Sequence, residues 1–211
     1  MLRIEDIGDG IRCIGLDRAA KRNAIGVELT LALDEILSST RHDPGVGVLV
    51  FHGIGGHFSA GMDMKDFFDS STRPPHELRR ARAATDHWRT HLLREMPQTL
   101  ITAVQGYCFG GALPILAASD VVLAGRDARF GLPEINFGFV PGGQIVKAAG
   151  TMMTPRALAY AALSGRPIEA ERGALWGLAT QVVDGDPYEH ALALARRIAT
   201  KAPVDKAQRS P

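Results

Sequence analysis

An apolar run, Leu100 to Val104, leads through Tyr107-Cys108-Phe109-Gly110-Gly111-Ala112 into a second apolar stretch, Leu113 to Ser119. The first run reads as a buried strand and the second as a helix, so the paired glycines fall at a strand-to-helix turn. Gly111 then lies at a helix N-terminus, where unpaired N–H groups and the positive end of the helix dipole favour developing negative charge. A second stretch, Phe58-Ser59-Ala60-Gly61-Met62-Asp63-Met64-Lys65, also offers bare backbone N–H groups to an incoming oxygen. Each stretch is half of an oxyanion hole.

The rest of the chain sets the frame around these turns. Leu2 to Ile7 and Ile11 to Leu16 alternate as strands about a Gly8-Asp9-Gly10 hairpin turn. After the polar turn Lys21-Arg22-Asn23-Ala24, apolar residues recur at helical spacing from Val27 to Leu37, and Gly45 to Phe51 follows as a buried strand. Ser70 to Pro75 breaks the chain, and His76 to Met96 resumes as a helix whose Leu78, Ala81, Trp88 and Leu92 share one face. Arg79, Arg80 and Arg82 are read as its solvated face rather than a phosphate site. Asp120 to Leu123 and Ala128 to Phe130 are two more short strands, and the pattern is mostly helical from Gln144 onward. Strands first and helices last point to α/β layers with a helical end.

Composition excludes several classes. The 211 residues, 45% hydrophobic and 22% charged, suit a soluble globular domain with a sizeable core. Its 24 basic and 23 acidic residues leave a formal charge of +1, so no overall field recruits nucleic acid or an anionic membrane. Any anion site must be local. Cys13 and Cys108 each sit in an apolar run and read as small hydrophobes, not as a disulfide framework. Met1-Leu2-Arg3-Ile4-Glu5-Asp6 lacks the basic and apolar regions of a signal peptide. Ile101 to Leu123 is apolar, yet Gln105, Pro114, Ser119 and Asp120 interrupt it as a membrane span. The expectation is a cytoplasmic protein with neither a nucleic-acid nor a membrane partner.

Three familiar motifs are nearly present and fail for stated reasons. Gly53-Ile54-Gly55-Gly56-His57-Phe58 follows a strand, but Phe58 stands where a dinucleotide fold needs its third glycine. His57-Phe58-Ser59-Ala60-Gly61 resembles a nucleophile elbow, but His57 replaces the small residue that the sharp turn requires. His87 and His91 have zinc-ligand spacing, but Trp88 takes the place of a metalloprotease glutamate and no further ligand set accompanies them. No metal is expected. A third informative stretch, Phe130-Gly131-Leu132-Pro133-Glu134-Ile135-Asn136-Phe137-Gly138-Phe139-Val140-Pro141-Gly142-Gly143, sets one carboxylate among apolar residues. By itself it reads equally as a buried acid with a raised pKa or as a surface-turn glutamate. The two N–H loops favour the first.

Taken in order, the three stretches resemble the crotonase, or enoyl-CoA hydratase/isomerase, superfamily from about Leu16 to Val183. The resemblance implies a repeated ββα spiral core over residues 1–145 and a helical C-terminal region over 146–211, shortened at Pro211 relative to the family. It implies that the N–H groups of Met62 and Gly111 bind a thioester oxygen as an enolate forms. It also implies that Lys21, Asn23, Ala24 and the loop Ala60, Gly61, Met62, Asp63, Met64 and Lys65 follow the coenzyme A path, with Lys21 and Lys65 serving the phosphates or the adenine end. Coenzyme A would be part of the substrate, with no separate cofactor, and relatives assemble as homotrimers or hexamers.

Within the superfamily, Trp88 to Leu93 and the second and third stretches look most like the hydroxycinnamoyl-CoA hydratase-lyases. These hydrate a phenylpropenoyl-CoA and cleave the product by a retro-aldol step. Glu134 matches their catalytic glutamate, and Gly110, Pro133, Phe137 and Gly142 fall in the substrate and CoA site. The sequence departs from them at Pro114, where two-carboxylate hydratases carry a second glutamate and the lyases a serine, and at Phe67, which matches a tyrosine that grips the substrate phenol. The expected activity is hydration of an aromatic or bulky enoyl-CoA, with or without cleavage. Double-bond isomerisation and a non-catalytic CoA-ester or protein-binding role stand as alternatives.

Overall fold

The computed structural model describes residues 1–68 and 73–200, so part of the break expected over Ser70 to Pro75 lies outside the described residues. Strands β1 (Leu2–Asp6) and β2 (Ile11–Leu16) form an antiparallel hairpin whose turn residues Gly8, Asp9 and Gly10 all have positive φ. A 3-10 turn, Ala19–Lys21, precedes α1 (Val27–Arg41), and β3 (Val48–Gly53) follows. Beyond α2 (Met64–Phe68), one long helix is built from α3 (Pro75–His87), a π-helical turn (Trp88–Leu92) and α4 (Leu93–Glu95). Next come β4 (Thr99–Val104), β5 (Tyr107–Phe109), a 3-10 turn (Gly110–Ala112) and α5 (Leu113–Ala118). Strands β6 (Val121–Gly125) and β7 (Arg129–Gly131) lead to a 3-10 turn, Pro133–Phe137, and to α6 (Gly143–Met152) and α7 (Pro155–Ser164). The order closes with β8 (Ile168–Glu169), α8 (Ala170–Leu175), β9 (Gln181–Val183) and α9 (Pro187–Ala199).

Two sheets share these strands. The larger runs β1-β2-β3-β4-β6-β9 and is parallel from β2 onward, while the smaller runs β5-β7-β8. After β3, β4 and β6 the chain crosses from the large sheet towards the small one before a helix returns it. After β3 the crossing is the single bridge Ser59↔Cys108, which lays the following loop alongside β5. The result is a spiral of strand, strand, helix. It brings the loop after β3 and the turns after β5 and β7 to one end of the molecule.

Both faces of the large sheet are covered, which is why its strands read as continuous apolar runs. Ile14, Phe51, Leu100 and Val104 face the core formed with α1, the π turn and α5, where Leu33, Trp88 and Leu113 are buried. Cys13, Val50, Ile101 and Leu123 face the opposite way, onto Ala191, Leu192 and Ala195 of α9. Both cysteines are free and buried. A buried polar chain ties two helices together inside the first core. Trp88 Nε1 donates to Thr30 Oγ1 at 2.7 Å, and Thr30 Oγ1 lies 2.9 Å from Thr85 Oγ1.

Within the mostly helical end of the chain lie β8 and β9, and β9 forms the edge of the large sheet. These strands are too short to display a period. Tyr107–Phe109, expected only as part of a glycine loop, is a strand of the small sheet. The helix expected from His76 to Met96 changes to π winding at Trp88–Leu92. The apolar stretch 101–123 is divided among β4, β5, α5 and β6, and no helix of the described residues is long and apolar enough to cross a membrane.

Candidate active site

The first N–H donor is set by a buried asparagine. Asn23, at φ 55°, donates from Nδ2 to Ile54 O at 3.0 Å and His57 O at 2.7 Å, while its Oδ1 accepts from Arg18 N at 2.8 Å. These bonds hold the loop after β3 against the turn after β2. Ser59 Oγ donates to Asn23 O at 2.8 Å and accepts from Gly61 N at 3.1 Å, so its hydroxyl is occupied in shaping the loop. Ile25 N donates to Gly61 O at 2.7 Å, and Asp63 N donates to Ile25 O at 3.0 Å. With Gly61 O and Asp63 N both facing Ile25, the intervening Met62 N–H points the other way.

The second donor meets it there. Gly111 is the second residue of the 3-10 turn after β5, and the first N–H groups of a helical turn have no partner within it. The N–H groups of Met62 and Gly111 enter none of the loop and turn hydrogen bonds. A methyl group placed on Gly111 would stand 3.2 Å from Met62 N, and one placed on Gly61, at φ +91°, would stand 3.3 Å from Gly111 N. The two donors therefore border one small space that only glycine leaves open.

Glu134 closes that space. It sits half-buried in the 3-10 turn after β7, which Asn136 ties to the end of α7 by donating to Gly165 O at 2.9 Å. A methyl on Gly110, at φ +45°, would strike Glu134 Oε1, so the carboxylate lies against the glycine pair. Glu134 Oε2 is buried with no hydrogen-bond partner among the described residues. Burial pushes the carboxyl above its usual range, partly offset by its own backbone N–H. A lone carboxyl with a raised pKa, beside two free N–H donors, can take up and return a proton next to an anionic oxygen.

Arg89, to which sequence reasoning gave no role, stands behind this turn. It is 8% exposed, and its Nη2 donates to Gly111 O at 2.9 Å. Burial pulls its pKa down to about 10, which leaves it charged at neutral pH. The π turn explains its place, because Trp88 and Arg89 are both buried, as are Leu92 and Leu93. A signal was present in the sequence: an arginine directly beside a tryptophan on an apolar helix face.

The remaining predicted residues fall into two groups. Gly110 and Gly111 are buried in the glycine turn, Pro114 is buried in the first turn of α5, and Pro133 opens the Glu134 turn. Phe137 is 71% exposed at the end of that turn, and Gly142 stands exposed at the head of α6. Lys21, Met64 and Lys65 are exposed, and Ala24 and Ala60 are half-buried beside them. Three residues are engaged within the fold. Asn23 is wholly buried and spends its amide on the backbone, and Asp63 is engaged by Arg18 Nη1 at 2.7 Å. Phe67, expected to touch substrate, is 2% exposed in a cluster with Val27, Leu78 and Ala81, against which Met62 packs. Of the rejected motifs, Gly53 passes too close to His57 O to carry a side chain, and His87 Nδ1 lies 2.7 Å from Asp34.

The chain is similar to known proteins in sequence and in fold. The family described as enoyl-CoA hydratase/isomerase matches residues 6–209. The hydroxycinnamoyl-CoA hydratase-lyase of Pseudomonas fluorescens is 34% identical over 201 residues, covering 94% of this chain and 73% of that protein. The 2,3-dehydroadipyl-CoA hydratase of Escherichia coli K12 is 31% identical over 201 residues, covering 90% of this chain and 72% of its own. Among solved structures, an enoyl-CoA hydratase/isomerase from Mycobacterium paratuberculosis superposes with a TM-score of 0.87 at 25% identity, covering 99% of this chain and 83% of that one.

Proposed function

The chain belongs to the enoyl-CoA hydratase/isomerase family, and from that membership we propose that it adds water to an enoyl-CoA with Glu134 as its single acid and base. One observation carries the reading: among the described residues Glu134 Oε2 is buried without a partner, while Oε1 lies against the glycine turn that supplies a free N–H. The thioester oxygen accepts from Met62 N–H and Gly111 N–H. The Glu134 carboxylate takes a proton from water as the hydroxyl oxygen bonds to the β-carbon, and negative charge passes to the thioester oxygen. The same carboxyl then delivers its proton to the α-carbon, which completes the addition of one water. Preorganised donors of this kind contribute about 2.7–4 kcal/mol each to the transition state in hydrolases.

Cleavage extends the scheme without a new residue. Glu134 removes the proton of the β-hydroxyl, the bond between the α- and β-carbons breaks, an aldehyde departs and the acetyl-CoA enolate is protonated. In this reading the exposed side chains of Lys21 and Lys65 meet the coenzyme A phosphates.

A second reading, double-bond isomerisation, is favoured by Pro114. It sits in the first turn of α5 and supplies no second acid, and one glutamate that removes a proton and returns it elsewhere suffices for a shift. Incubation with aliphatic and aromatic enoyl-CoAs, followed by product mass, separates the readings. Gain of one water supports hydration, and an aldehyde with acetyl-CoA supports cleavage. Unchanged mass with a displaced double bond supports the isomerase. No change with any thioester overturns both.

A further inference from the structure

A cavity of about 390 Å³ opens beside Arg89 and Pro114, next to the glycine turn. Its wall includes Arg89, Arg94, Lys147, Gln144 and Pro114, and no aspartate or glutamate lines it. Arg94 and Lys147 are exposed at its edge, and neither forms an ion pair with a described residue. Arg89 is its buried component. That guanidinium is more than nine-tenths buried and stands 4.8 Å from the Trp88 ring centroid; among the described residues its hydrogen bond goes to Gly111 O, and Nε is buried with no partner. The nearest acid acting on it, Asp86, is exposed and does so only through space.

A buried guanidinium with unused donors is costly unless something anionic completes it. Lysine and arginine at the cavity edge add to the same field, and nothing among the lining residues cancels it. The cavity also adjoins the thioester site: a methyl placed on Gly111 would stand 2.8 Å from Arg89 Nη2 and 3.2 Å from Met62 N, and Pro114 lies within one helical turn of Gly111. A small anion attached to the acyl group therefore fits this position. A planar carboxylate matches a guanidinium in geometry as well as charge.

We propose that this cavity is a subsite for a carboxylate carried by the acyl group, so that the preferred thioesters are those of dicarboxylic acids. The proposal rests on the reading of the adjoining site as a thioester site.

Saturated thioesters test it without turnover. Isothermal titration calorimetry compares succinyl-, glutaryl- and adipyl-CoA with butyryl-, valeryl- and hexanoyl-CoA. Both members of each pair carry the same coenzyme A phosphates, so a difference reports only the acyl end. At least one acid should bind about tenfold or more tightly than its neutral partner. Substitution of both edge residues, Arg94→Gln with Lys147→Gln, should bring that pair towards parity and leave the neutral thioester's affinity unchanged. These exposed positions are used because Arg89 variants risk unfolding. Equal affinity throughout every pair overturns the subsite, as does a preference that the double variant leaves intact. Failure of all six thioesters to bind overturns the thioester reading itself, which distinguishes the two failures.

Discussion

Glu134 and Gly110 hold the chemistry in opposite ways, one by what it carries and the other by what it lacks. Glu134→Gln keeps the shape but removes the proton carrier, so turnover of whichever enoyl-CoA is accepted should fall by about two to four orders of magnitude. The same variant makes a stability prediction with a definite sign. Burial raises the folded pKa of Glu134 above that of the unfolded chain. Between those values the native state binds more protons than the unfolded state, so stability is lost as pH rises through that window. Glutamine escapes this loss, and the Tm of the variant relative to the parent should rise as pH increases above the ordinary glutamate value of about 4.5. Thermal melts at several pH values check it, and a shrinking difference would contradict the burial argument. Gly110→Ala places a methyl on Glu134 Oε1 at a positive φ. The backbone conformation costs about 1–2 kcal/mol, which a folded domain survives. Displacing the carboxylate should lower kcat at least about 100-fold while circular dichroism stays native.

At the scale of elements, the N–H donors depend on loops that are fixed by buried side chains. Asn23 joins the turn after β2 to the loop after β3 through Arg18, Ile54 and His57, and Ser59 extends the linkage to Gly61. Asn23→Ala leaves buried backbone groups without partners. It should destabilise the protein by about 2–4 kcal/mol in urea unfolding, since each such group costs about 1–3 kcal/mol. Activity at low temperature should fall as well, because Met62 loses its fixed position. A variant of unchanged stability would show that these bonds are replaced by water at no cost. The π turn acts similarly on the other donor, turning Arg89 inward to hold the carbonyl of Gly111.

Across the whole molecule, the large sheet is held between two cores, and α9 alone supplies most of one cover. Its small residues Ala191 and Ala195 let the helix approach the strands closely, and Asp186 caps it by accepting from Tyr188 N at 2.9 Å. Ala195→Asp would set an unpaired carboxylate against Val50 and Ile101. The expected loss is about 3–5 kcal/mol, a large part of the stability of an ordinary domain. A lowered urea midpoint checks it, and an unchanged midpoint would mean that α9 contributes little to the fold. The site lies where the spiral gathers turns that are far apart in sequence.

What the sequence determined by itself was whatever depends on local pattern. The buried strands, α1, the hairpin turn at Gly8-Asp9-Gly10 and the glycine turn before α5 all follow from periodicity and from backbone conformations that few residues tolerate. Glu134 was legible too, because a single carboxylate in an apolar stretch draws attention whatever surrounds it. Strands β5, β8 and β9, of two or three residues each, were not legible, since a period of two needs more length to appear. Nor were the roles of Asn23, Phe67 and Arg89. A buried asparagine, a core ring and an inward arginine look in sequence like ligand contacts or a solvated face. Only tertiary structure decided that Asn23 spends its amide on the backbone, that Phe67 packs beneath Met62, and that π winding turns Arg89 inward. Burial and hydrogen-bond partners come from segments distant in sequence, and no local pattern encodes which ones will meet.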